Sequence, residues 1–266
     1  MSVLGSIGAG VIGRLAYVGG LTNQFFQGIS ALPRVLPFVG KHGRWQAAIR
    51  QMYAIGVAAL PMIAVVAACA GFILAIQSAY ALSRFGAVQL VIYIVVVAFT
   101  KELGPVLTAT VASGRSGSAF SAEIGTMVVT EEIDALRTMA IDPIELVLAP
   151  KYFAAMIVIP CLTVISSFVG IAAGAVFMFL KARMSFSMYF QYAMQAMSLH
   201  DVFAGLIKSL VFGTIIVHVG CIEGFRVAGG PEAVGNSATS AVVKSTILVI
   251  FADFVITTVF YMLGVD

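Results

Sequence analysis

The sequence predicts an all-α, polytopic membrane protein: an N-terminal interfacial helix, five transmembrane helices, and a short cytoplasmic helix between the second and third spans. Three observations lead there. Hydrophobic residues make up 61% of the 266-residue chain and charged residues only 10%, against roughly 25% charged in a soluble domain. Mean hydropathy is +1.05. Apolar stretches recur along the chain, and two of them, 51–83 and 152–180, pass the ~20 residues that a spanning helix needs without a single charge. At this length the chain reads as one transmembrane domain, 41–266, behind an N-terminal segment, 1–40.

The elements follow in order. In the first 32 residues, Leu4, Ile7, Val11, Leu15, Val18, Phe25, Ile29 and Leu32 recur at helical spacing, with Arg14, Asn23, Gln24 and Gln27 between them. That pattern is amphipathic, so it predicts a helix lying in the interface, with a sixth span as the alternative. Pro33 and Pro37 end it. No charge lies between Arg50 and Arg84, which puts the first span at about 52–79. The second, about 87–112, is interrupted by Lys101 and Glu102. The third fills the charge-free stretch between Lys151 and Lys181. The fourth, about 201–222, carries Lys208 and His218, and the fifth, about 241–264, carries Asp253.

Loop charges set the orientation. With the N-terminal segment and the 113–151 and 223–244 loops inside, that side holds ten basic residues: Arg14, Arg34, Lys41, Arg44, Arg50, Arg115, Arg137, Lys151, Arg226 and Lys244. The other side holds three: Arg84, Lys181 and Arg183. The N-terminus is therefore expected in the cytoplasm and the C-terminus outside.

The 113–151 loop is the unusual part. It opens Gly/Ser-rich, and Thr130 is then placed to cap a helix carrying Glu131 and Glu132 in its first turn, where negative charge meets the positive end of the helix dipole. Ile133, Leu136 and Ala140 make an apolar stripe, Met139 adds to it, and Asp134 and Arg137 are spaced to pair. Asp142-Pro143-Ile144-Glu145 has the form of a second capped helix start. The bland reading is a solvated hairpin. The functional reading is a docking element for a cytoplasmic partner, with Glu131, Glu132, Ile133, Asp134, Leu136, Arg137 and Met139 as contacts.

Other classes fit poorly. A net charge of +3 without a basic run argues against nucleic acid. Cys69, Cys161 and Cys221 have the spacing of neither a disulfide framework nor a metal site. There is no catalytic or metal-ligand constellation and no Walker A sequence, so ATP hydrolysis is not expected of this chain.

The run ELGPVLTATVASGRSGSAFSAEIGTM, then EEIDALRTMAIDP, and later AVVKSTILVIFADFVITTVF, resembles the MlaE/YrbE permease family of ABC transporters, over roughly residues 45–264. The resemblance implies a permease dimer in the bacterial inner membrane. It implies a cytoplasmic ATPase dimer below, which binds ATP and Mg, and a periplasmic MCE-domain partner above. The implied substrate is lipid, with phospholipid the expected class, moved between membranes in support of outer-membrane asymmetry. No cofactor is expected on this chain.

Charged residues inside a span cost at least ~2.5–3.5 kcal/mol each unless paired or facing a cavity. Lys101 and Glu102 read either as a structural ion pair or as a polar patch at a lipid pathway. Pro105 removes the helical bond to the Lys101 carbonyl. Asp253 shares a face with Thr246 and Thr257 and is expected to meet Lys101 or Lys208. Gln77, Ser78 and Tyr80 are candidates for the mouth of a cavity.

Two other classes share some of these features. Gly114-Arg115-Ser116-Gly117 matches a G-x-S-G pattern of intramembrane serine proteases, with His218 as the base. The charges at Arg115 and Glu123 put that serine at the surface, against the reading. A stand-alone secondary transporter is the stronger rival, but its usual internal repeat is not visible here.

Overall fold

The computed structural model describes residues 44–264. The segment 1–40, expected to lie in the interface, and the C-terminal Asp266 fall outside the described residues. Within them, five helices are long and apolar enough to cross a membrane: Gln46–Ser83, Leu90–Val129, Leu146–Ala182, Leu199–Phe225 and Pro231–Met262. These match the five expected spans in order.

The first is two pieces, α1 (Arg44–Ile55) and α2 (Leu60–Ser83). They join at Gly56, and Pro61 opens α2, where its missing N–H costs nothing. The second contains α3 (Leu90–Ala98), α4 (Gly104–Ala112) and α5 (Ser118–Val129). Two π turns, Phe99–Leu103 and Ser113–Gly117, link them without a break. Then come α6 (Glu132–Thr138), a π turn at Ile144–Leu148, α7 (Ala149–Ala182), α8 (Phe186–Ala196), α9 (Leu199–Phe225) and α10 (Pro231–Met262).

The second span corrects the expected loop. Residues 113–129 are not a Gly/Ser-rich linker but the continuation of a 40-residue helix. Ser118 bonds back along the helix to the Gly114 carbonyl at 2.6 Å, while Ser121 reaches across to Ser237 Oγ at 3.0 Å. The small side chains let neighbours close in. A Cβ on Gly220 of α9 would stand 2.7 Å from the Gly117 carbonyl, and one on Gly224 would stand 2.9 Å from the Ser121 carbonyl. This is how helices associate where water supplies no driving force. At ~1.5 Å per residue the helix runs about 60 Å, twice the hydrocarbon thickness, so one half projects beyond it.

The expected 223–244 loop is likewise short. Helix α10 starts at Pro231, and Lys244 lies within it, donating to Glu223 Oε2 at 2.6 Å. Thr130 does not cap α6. It ends α5, bonding back to the Thr126 carbonyl at 2.9 Å, and Glu131 makes the corner at φ 61°. Asp142 does cap, accepting the Ile144 N–H at 2.9 Å.

Helix α7 is the central post, packing against α1, α2, α4 and α9. Helix α8, absent from the sequence expectations, starts where Ser185 accepts the Met188 N–H. It presses Tyr189 inward, where the phenol donates to the Ile171 carbonyl at 3.1 Å. Burial pushes that phenol above its ordinary range and keeps it a neutral donor. The last span is the least covered: 11% of its apolar window is buried.

Candidate site: a charged network in the span and the helix beyond it

The intramembrane charges form two cross-helix sets of ion pairs around the first π turn. At the first π turn the Gly104 N–H reaches back to the Phe99 carbonyl, one residue further than in an α-helix. Lys101 and Glu102 sit on that turn and are each tied to α9. Lys101 Nζ lies 3.2 Å from Asp201 Oδ1. Glu102 Oε1 lies 2.5 Å from Lys208 Nζ, which is also 2.9 Å from Asp253 Oδ1 on α10. Lys208 donates to Thr257 Oγ1 at 2.7 Å, and Thr257 donates to Glu102 at 3.1 Å.

Asp201, Gly205 and Lys208 share the face of α9 turned to this corner. Gly205 is what lets it approach, since a Cβ there would stand 2.2 Å from the Thr100 carbonyl. Lys101 and Glu102, read as a structural ion pair or a polar patch, are each paired with a charge on α9: Lys101 with Asp201 and Glu102 with Lys208. Asp253 meets Lys208, one of its two expected partners. Asp201 was missed, although Ser-Leu-His-Asp at 198–201 is a helix-start pattern: Ser198 accepts the His200 N–H at 3.1 Å. Three carboxylates face two ammonium groups. The Lys208 side chain is 2% exposed, but that of Glu102 is 37% exposed, so the network is closed behind the lysine and open at the glutamate.

Toward the projecting end a second set of polar contacts locks the helices together. Lys151, buried at the start of α7, donates to Glu123 on α5 at 2.8 Å, with its ammonium 5.5 Å from the Phe120 ring centroid. The Tyr152 hydroxyl meets His218 Nδ1 at 2.7 Å. Ser116 Oγ has no hydrogen-bond partner among the described residues, so the serine and histidine of the protease reading are not joined.

Helix α6 hangs at this tip. Ile133 is 3% exposed and pins the helix to the body, so it is not available to a partner. Leu136 is half-buried; Glu131, Glu132, Asp134, Arg137 and Met139 are exposed. Asp134 and Arg137 pair at 3.1 Å as expected, in solvent, where such a bond contributes little. Beside α6 a recess of about 660 Å³ is lined by Arg137, Ile141, Ile144, Phe225 and Arg226 among others. Gln77 and Tyr80 lie exposed near the opposite end of α2, where the Tyr80 hydroxyl accepts from Arg84 at 2.9 Å.

Five helices long and apolar enough to cross a membrane, tied together by ion pairs, define a polytopic membrane protein. The permease MlaE family matches residues 48–259, and the chain belongs to that family of ABC transporter permeases. A probable ABC transporter permease protein of Rickettsia prowazekii is 39% identical over 213 residues, 80% of this chain and 82% of the relative. One from Synechocystis is 39% identical over 206 residues, 77% of this chain and 78% of its own. The chloroplastic protein trigalactosyldiacylglycerol 1 of Arabidopsis thaliana is 35% identical over 217 residues, 82% of this chain and 62% of that protein.

Proposed function

We propose that this chain is the membrane subunit of a lipid-transporting ABC system, working as a dimer that an ATPase on the α6 side drives. The observation that carries the reading is the half-open ionic network. A carboxylate such as Glu102, at span depth and 37% exposed, is stable only beside water, a polar headgroup or a second subunit. A cavity between two copies supplies that surrounding. The exposed stripe Ile247, Ile250, Phe251 and Phe254 on α10 gives the second copy an apolar face. The name of the Arabidopsis relative is that of a glycolipid, which favours a lipid cargo.

Mechanically, α6 joins the 40-residue second span to α7, the central post. A push on α6 is carried by the Glu123–Lys151 contact into α5 and α7 together. The two π turns are the places where the second span can flex. ATP and Mg sit on the ATPase. A bacterial inner-membrane location follows, with the N-terminus and α6 cytoplasmic, the C-terminus periplasmic, and an MCE-domain partner at the periplasmic face.

The test is reconstitution of the permease and its co-purifying ATPase in vesicles with a fluorescent phospholipid. ATP-dependent movement of the lipid that Glu102→Gln abolishes, with the complex intact, supports the reading. Lipid movement unaffected by ATP favours a secondary transporter.

A further inference from the structure

We propose that the chain holds an anionic phospholipid of the leaflet on the α6 side, in the recess between α1 and α5. The recess measures about 1010 Å³ and is lined by Gln46, Arg50, Gln51, Tyr53, Arg115 and Ser116 among others. Three observations converge on a phosphate. The first is charge. Arg50 and Arg115 both line the recess; its carboxylate, Glu123, is already neutralised by Lys151 at 2.8 Å, so the wall is left positive. Arg115 gives one N–H to the Ala54 carbonyl at 3.2 Å, which fixes its side chain across the α1–α2 joint. A guanidinium carries further donors in a planar fork suited to phosphate oxygens.

The second is Ser116. Its residue is 4% exposed, it lines the recess, and its Oγ has no hydrogen-bond partner among the described residues. A buried hydroxyl without a partner is destabilising, and a phosphate oxygen would satisfy it. The third is depth and continuity. Arg115 is the first charge after Glu102 and ends the charge-free stretch 103–114 of the second span, the position at which a headgroup is expected. From the recess, Ile49, Tyr53 and Val57 run up the outer face of the first span, exposed by 48%, 63% and 51%. A headgroup in the recess lays its acyl chains along that stripe. This site is far along the second span from the Glu102 network, and it does not depend on transport.

The experiment uses the full chain purified in detergent, exchanged into nanodiscs of phosphatidylcholine with a minor fraction of phosphatidylglycerol, with bound lipid read by native mass spectrometry. Wild type is expected to retain phosphatidylglycerol preferentially. Arg50→Gln/Arg115→Gln should lower that retention about tenfold and Ser116→Ala about threefold, while Gly235→Ala, where a Cβ meets nothing within 4 Å, leaves it unchanged. Retention at the wild-type level in the double variant overturns the proposal. So does displacement of the lipid by millimolar inorganic phosphate, which would mean a free-anion site. A photo-crosslinker at Gln51 should capture lipid; capture of the chain's own residues 1–43 instead overturns the proposal and makes that segment the occupant.

Discussion

Lys208 Nζ stands 2.5 Å from Glu102 Oε1, joining the fourth span to the second through a lysine whose side chain is 2% exposed. The same ammonium holds Asp253 and Thr257, so one side chain ties three spans together.

Removing that lysine alone should therefore do more damage than removing the whole cluster of charge. Lys208→Met strands two carboxylates, at about 3–5 kcal/mol for a buried ion left without its partner. Lys208→Met/Glu102→Gln/Asp253→Asn should recover most of the lost thermal stability in detergent while remaining inactive in transport. A triple variant less stable than the single one would mean that the network stabilises the bundle beyond compensating its own charges.

Gly205 holds α9 against the first π turn. Gly205→Ala forces the methyl into the Thr100 carbonyl and should cost about 1–3 kcal/mol, the usual range for overpacking. Gly114→Ala, where a Cβ meets nothing within 4 Å, is the control and should melt like wild type or slightly higher.

The exposed acidic face of α6 should govern ATPase docking. Glu132→Lys/Asp134→Lys sets like charge against a basic partner rim, which can cost several kcal/mol, while Ile133 still anchors the helix. The variant should insert and dimerise normally yet lose co-purifying ATPase. Retention of the ATPase with normal lipid movement would make α6 a solvated hairpin.

The proposed topology puts the chain ends on opposite sides of the membrane. A C-terminal alkaline phosphatase fusion after Asp266 should be active and a C-terminal green fluorescent protein fusion dark. The reverse pattern would show that residues 1–32 cross the membrane.

The apolar spans were legible because lipid demands long hydrophobic stretches, and the few charges at Lys101, Glu102, Lys208 and Asp253 do not hide that length. Residues 113–129 were misread because glycine and serine carry two opposite meanings. In water they break helices; between helices at the membrane surface they let backbones touch, as at Gly117 and Gly220. Lys151 and Lys244 were counted as loop charges because proximity to a span end does not reveal a carboxylate waiting on another helix. The network was half legible. Lys101, Glu102 and Asp253 stand out as charges in apolar runs, but Asp201 sits at a helix start, where an acidic residue needs no explanation. Ile133 was misassigned because an apolar stripe on a short helix does not say which side is the body.

The π turn at Phe99–Leu103 has a consequence for chain length itself. One surplus residue is wound into a single turn there, so everything after it is dialled round by about 100° relative to an unbroken α-helix. Deleting one residue from that turn would leave composition and hydropathy almost untouched. It would also point Ser116, Phe120 and Glu123 at the wrong neighbours, from a distance of several turns. The second span is thus indexed like a key, its far end cut to a notch set near its middle.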